Sequence, residues 1–152
     1  MTAYRQEKLF SCGASAIRNV IYSLNGIVPS EKYVRRICQT TIQGTTEKGI
    51  IRGLTKLGYL TEEFYTENET TFKNRLKKRL SEGYKAIAII QGNSHWIAVT
   101  GYENKRIIFV DSDFRKAEQR YTLNEFALIS KNIDKIDKKI CYYCIFISEI
   151  IS

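Results

Sequence analysis

The chain has a single histidine, a single proline and a single tryptophan, and no apolar run near the length of a membrane span. With one histidine, any cysteine–histidine chemistry has to use His95. With one proline, Pro29, and no repeat or low-complexity tract, no linker divides the sequence, and 152 residues are expected to form one domain over 1–152. The opening residues "MTAYRQEKLF" lack an apolar signal region, and nothing reaches the roughly 18 consecutive apolar residues of a spanning helix. The expectation is a cytoplasmic protein without a membrane span, in which all four cysteines are thiols.

What is present suffices for a core. A hydrophobic fraction of 43% can bury enough surface without disulfides or a structural metal. The formal net charge of +8 would suit a nucleic acid or an acidic partner if it were clustered, but the basic residues are scattered. The densest run, "FKNRLKKRL", sets Phe72, Leu76 and Leu80 one helical turn apart, so it predicts an amphipathic helix with a solvated basic face rather than a nucleic-acid site.

The first half reads as helices. Ala14, Ile17, Val20, Ile21 and Leu24 recur with helical spacing and stop at Asn25–Gly26. A second helix is predicted over Ser30 to Cys38, with Ser30 as N-cap and Tyr33, Val34 and Ile37 on one side. A third, capped by Thr45 or Thr46, carries Ile50, Leu54 and Leu57 and ends at Gly58. The acidic run from Glu62 to Glu69 reads as a solvated loop. The second half reads as antiparallel strands: Lys85 to Gln91, His95 to Tyr102, Arg106 to Ser112 and Cys141 to Ile147. Helices followed by strands predict an α+β domain with its N-terminal helices packed on one face of a C-terminal antiparallel β-sheet.

Chemistry centres on three places. Cys12 stands at the start of the first helix, where free N–H groups and the helix dipole favour a thiolate, and an adjacent imidazolium would favour it further. Gly13 and Ala14 are expected to leave the approach to its sulfur open. His95 opens a strand after Gly92–Asn93–Ser94, and that strand reverses around Glu103–Asn104–Lys105. An odd-length loop there puts Asp111 across from His95 on the same face, together with Asp113; an even loop or a bulge puts Asp111 on the other face. A carboxylate beside the imidazole would fix its tautomer through Nδ1–H and stabilise the imidazolium. The oxyanion of a thiol acyl transfer needs donors, for which the Cys12 N–H and the Gln6 side-chain amide are the candidates.

With Gln6 six residues ahead of "CGA", and "VDSD" placing Asp111 sixteen residues after the histidine of "HWIAVTGY", the chain resembles the double-glycine leader peptidases. These are the papain-like cysteine peptidase domains of bacteriocin exporters and their stand-alone relatives. "GTTEKGI" and "LGY" are similar to the family's middle segment, so the resemblance covers nearly the whole chain. It implies a papain-like fold with Cys12 as nucleophile, His95 as general base, Asp111 as its orienter and Gln6 at the oxyanion. The family usually has a proline after the aspartate. Here Ser112 stands in its place, which makes Asp113 a competitor for the orienting role, and no coupling to a transporter or ATPase is expected.

The expected activity is peptide cleavage after small residues such as glycine, through a thioester, on a peptide or protein substrate. Deamidation, transglutamination, isopeptide cleavage and dipeptidyl transfer use the same thioester, and a non-catalytic peptide-binding domain is the alternative outside the enzymes. No cofactor or metal is expected. Cys141 and Cys144 of "CYYC" have no second ligand pair and would point to opposite faces of a strand, so they read as structural, and Cys38 reads as core. Trp96 either shields the imidazole or simply packs. The sequence does not fix the oligomeric state.

Overall fold

The computed structural model describes residues 6–92, 95–112 and 118–149. In chain order the elements are α1 (Cys12–Asn25), α2 (Glu31–Ile37), α3 (Glu47–Lys56), β1 (Tyr59–Thr66), α4 (Glu69–Ser81), β2 (Lys85–Ile90), β3 (His95–Glu103), β4 (Arg106–Val110), β5 (Glu118–Thr122), α5 (Leu123–Ile129), β6 (Asn132–Ile133) and β7 (Ile140–Glu149). The sheet runs β1-β7-β2-β3-β4-β5, with β6 paired to β7 and every ladder antiparallel. This is the expected α+β architecture, and the C-terminal strand β7 lies inside the sheet between β1 and β2.

The helix boundaries follow the local chemistry. α1 ends where Gly26, in the left-handed region, returns its N–H to the Ile21 and Tyr22 carbonyls. Ser30 caps α2 through the Tyr33 N–H, and Thr46 rather than Thr45 caps α3 through the Gly49 N–H. Val34 and Ile37 face the core as predicted; Tyr33 does not, and carries Arg36 against its ring instead.

Alternation divides the sheet into two faces. Ile87, Ile89, Trp96, Ala98, Val110, Ile145 and Ile147 pack against α1, α2 and α3 in one core. Ala86, Ala88, Ile97, Val99, Phe109, Cys144 and Phe146 pack against α4 and α5 in another. Helices therefore cover both faces, because Phe72, Leu76 and Leu80 of α4 and Phe126 of α5 need an apolar surface of their own.

The acidic segment expected to be a solvated loop is strand for most of its length. β1 pairs with β7 from Tyr59 opposite Glu149 to Thr66 opposite Tyr142. Its charges are matched across the fold: Glu62 meets Arg75 and Arg79 of α4, and Glu63 accepts from the Tyr143 hydroxyl. Arg75 also lies over the Phe64 ring, so part of the basic face of α4 is engaged rather than solvated.

Candidate active site

The β3–β4 hairpin brings His95 to Asp111 by a route other than the odd loop expected from sequence. The turn is a two-residue one: Asn104 and Lys105 both take positive φ, the pattern of a type I′ turn, and Glu103 pairs with Arg106. That even turn alone would separate the two residues. Between Gly101, opposite Ile108, and Val99, opposite Phe109, the register slips by one residue. Thr100 is the extra residue of this β-bulge, and its carbonyl is taken by Lys85 Nζ at 2.6 Å. The slip restores parity, and with Ala98 opposite Val110 the continuing register sets Asp111 diagonally across from His95.

The contact is short: His95 Nε2 lies 2.6 Å from Asp111 Oδ1, with both residues buried. The carboxylate therefore sits on Nε2 rather than on Nδ1, as the sequence reading had it. Cys12 lies near enough to the ring to act on its charge. Burial works against a charged His95, but the Asp111 hydrogen bond, then the Cys12 hydrogen bond and the charge of both partners, outweigh it and raise the imidazole from 6.5 to about 10. The site favours an imidazolium at neutral pH. Asp113 lies outside the described residues, as do Asn93 and Ser94.

Cys12 is the first residue of α1, where the N–H groups of the opening turn have no partner within the helix. Gly13 has a different task from the one its position suggested. A Cβ there would come within 2.9 Å of Thr45 Cβ and Oγ1 and 3.0 Å of Ile50 Cδ1, so the glycine lets the Thr45 loop close on α1. Trp96, next to His95, secures that loop by donating Nε1–H to the Thr45 carbonyl at 2.9 Å. A cleft of about 510 Å³ opens beside Cys12, with Phe10, Gly44, Thr45, Trp96 and Lys135 in its walls. A second depression of about 310 Å³ shares Glu47, Ile89 and Lys135 with it and continues past Ile133 and Ile136.

Gln6 is brought to the same end of the molecule and joined to the residue after Asp111. Its N–H reaches the Ser112 carbonyl at 3.3 Å, and the Ser112 hydroxyl donates to Gln6 Oε1 at 2.8 Å. The amide nitrogen of Gln6 donates to the carbonyls of Lys8 at 2.8 Å and Leu9 at 3.3 Å, within its own loop. Thr45, Lys135 and the buried carboxylate of Glu31 carry no sequence signal for a place at the site. Each is an ordinary residue for its element, and only the folded chain brings them here.

The other three cysteines are buried elsewhere. Burial pushes Cys38 up to about 12 and raises Cys141 and Cys144 as well, and the latter two fall on opposite sides of β7. Among the described residues no group of three or more His, Cys, Asp or Glu side chains could hold a metal ion, and no helix is long and apolar enough to cross a membrane.

Residues 1–131 match the model of the Peptidase C39 family. Solved structures of similar fold include the peptidase domain of Streptococcus ComA, described as a bi-functional ABC transporter of a quorum-sensing pathway. The TM-score is 0.70 at 21% identity over 97% of each chain. A double glycine motif protease from an AMS/PCAT transporter, solved with a leader peptide, gives 0.70 at 17% identity over 98% of this chain and 91% of that one. The N-terminal peptidase C39 like domain of a toxin secretion ATP-binding protein from Vibrio parahaemolyticus gives 0.60 at 11% identity, over 94% and 99%. No curated protein sequence shows significant similarity to the chain.

Proposed function

The chain belongs to the Peptidase C39 family and is a cysteine peptidase; from that premise we propose that Cys12, His95 and Asp111 form its catalytic triad and that it cuts peptides after small residues such as glycine. The observation that carries this reading is the buried His95 ring with Nε2 2.6 Å from Asp111 Oδ1, where Asp111 and Cys12 both favour the charged imidazole. A histidine kept charged by a carboxylate stabilises the thiolate beside it. A buried histidine without chemistry to perform would have been cheaper to keep neutral.

Cys12 attacks the scissile carbonyl as a thiolate, forming the sulfur–carbon bond and a tetrahedral oxyanion. The Cys12 backbone N–H and the Gln6 amide are its donors; for Gln6 this requires exchanging its long bond to Leu9 O for the substrate oxygen. As the carbon–nitrogen bond breaks, the His95 imidazolium gives its proton to the leaving amine, and a thioester remains. Neutral His95 then takes a proton from water as that water attacks the thioester. The carboxylic product leaves, and the thiolate and imidazolium are restored. Asp111 keeps its charge throughout and fixes the ring through Nε2.

The substrate lies in the cleft walled by Gly44, Thr45 and Trp96 and extends toward Ile133 and Ile136, both exposed. The Trp96 bond to Thr45 keeps the wall beside Cys12 fixed, which favours a residue with little or no side chain at the cut. Peptides carrying a glycine pair, the sequence named for one of the fold relatives, are the first candidates. The test is a peptide library incubated with wild-type protein and with Cys12→Ala and read by mass spectrometry. Cleavage concentrated after glycine and absent in the variant is the expected result, and equal cutting at all small-residue sites would remove the glycine preference.

A further inference from the structure

Glu31, the first residue of α2, is fully buried, yet among the described residues its carboxylate has no ion pair closer than 3.6 Å. Both of its oxygens accept the backbone N–H of Glu7, at 3.1 and 3.2 Å. Ser11, near the same carboxylate, favours its charged form. Arg35 stands farther off, its Nε at 3.6 Å, and leans a second nitrogen toward Glu7 at 3.9 Å.

These contacts fall at the two ends of one short segment. Glu7 follows Gln6, and Ser11 precedes Cys12. Inside the segment Ser11 ties back to Lys8 through both its hydroxyl and its N–H, which closes the loop on itself. Ser11 makes no side-chain cap to α1, although it stands at the N-cap position. Its hydroxyl serves the loop instead, donating to the Lys8 carbonyl and accepting the Lys8 N–H.

We propose that Glu31 is a positioning residue for the oxyanion donors, holding the Glu7–Ser11 segment so that the Gln6 amide and the Cys12 N–H keep their relative placement. The proposal rests on the assignment of Gln6 and the Cys12 N–H to the oxyanion. A carboxylate that anchors a backbone N–H from inside the protein fixes position more firmly than solvent contacts could, and a displacement of about 1 Å in such a donor can cost up to about a hundredfold in rate.

The test compares two reactions of the same sulfur. Acylation of Cys12 by p-nitrophenyl acetate passes through an oxyanion and releases p-nitrophenolate; alkylation by iodoacetamide displaces iodide at a saturated carbon and forms none. Rates in Cys12→Ala supply the background from other groups. Glu31→Gln is expected to slow acylation about tenfold or more while alkylation stays within about twofold of wild type. Glu31→Asp should show the same split to a smaller degree, and it decides the matter if Glu31→Gln does not fold. Gln6→Ala should give the same split, and Gln6→Ala combined with Glu31→Gln should be little slower than the slower single variant, since both act on one group of donors.

Folded Glu31 variants that acylate at the wild-type rate would overturn the proposal, as would acylation and alkylation falling together, which would mean that Glu31 merely supports α1. If Gln6→Ala acylates normally while Glu31→Gln shows the split, the Gln6 assignment fails and the positioning of the Cys12 N–H by Glu31 stands.

Discussion

On the α1–α3 side of the sheet the helices and loops pack so closely that Gly13, Gly49 and Gly53 have no room for a Cβ, and Ser11, Ser15, Asn19, Glu31 and Thr45 are buried along the elements that cover it. On the α4–α5 side the space is filled by rings: Phe72 stacks on Tyr142 at 4.8 Å, and Phe126 meets Phe109 edge to face at 5.5 Å. The first face uses close packing at glycines and polar ties to hold the end of α1 that carries Cys12. The second supplies bulk apolar burial. Stability and chemistry are therefore separable by substitution.

The largest effect lies on chemistry alone. Cys12→Ala is expected to abolish acyl transfer with the denaturation midpoint little changed, and His95→Ala to lower it by about four orders of magnitude or more while also losing the stability of the buried contact with Asp111. A large loss of stability in Cys12→Ala would blur the contrast between the faces. Phe126→Ala should do the reverse. Truncating a fully buried ring costs about 3–5 kcal/mol in chemical denaturation, while the alkylation rate of Cys12 in the folded fraction is unchanged. A slowed alkylation would show that the aromatic face reaches the site.

Gly13→Ala tests the boundary between the two behaviours. The added methyl has to displace Thr45 or Ile50, for about 1–3 kcal/mol of stability, and because Thr45 is also cleft wall, peptide cleavage should fall with it. Smaller again is the effect of Asp111→Asn on pH dependence. His95 is raised in the folded protein, so its contribution to stability is complete below its ordinary value of 6.5 and is lost as pH climbs through about 10. Removing the carboxylate leaves burial, which disfavours the charge, less opposed. The alkaline limb of the activity profile should then move to lower pH by about one unit or more, and stability should decline at lower pH than in wild type.

Much of this was legible in the sequence where local chemistry decides the outcome. Helical spacing, Ser30, the threonine cap and Gly26 delimit α1 to α3, and β-branched runs mark β2, β3 and β4. The pairing of His95 with Asp111 was legible only in its result. The expected odd loop is in fact an even turn whose second residue is Lys105 instead of the usual glycine, and a bulge at Thr100 cancels the parity error. Neither device has a strong local signature. The strand through Glu62 and Glu63 was hidden because its acidic residues find their partners on α4 and β7, a choice made by tertiary packing. Which ring nitrogen faces Asp111, and what holds the Gln6 loop, likewise depend on contacts between distant segments.

Because the chain contains a single histidine, its ring can be followed by proton NMR without ambiguity. A pH titration of the His95 Cε1–H signal tests the claim that Cys12 and Asp111 together hold an imidazolium at the site. The account predicts a ring that stays protonated through neutral pH and titrates near 10, with the midpoint falling in both Cys12→Ala and Asp111→Asn. A midpoint near the ordinary 6.5 that neither substitution moves would contradict it.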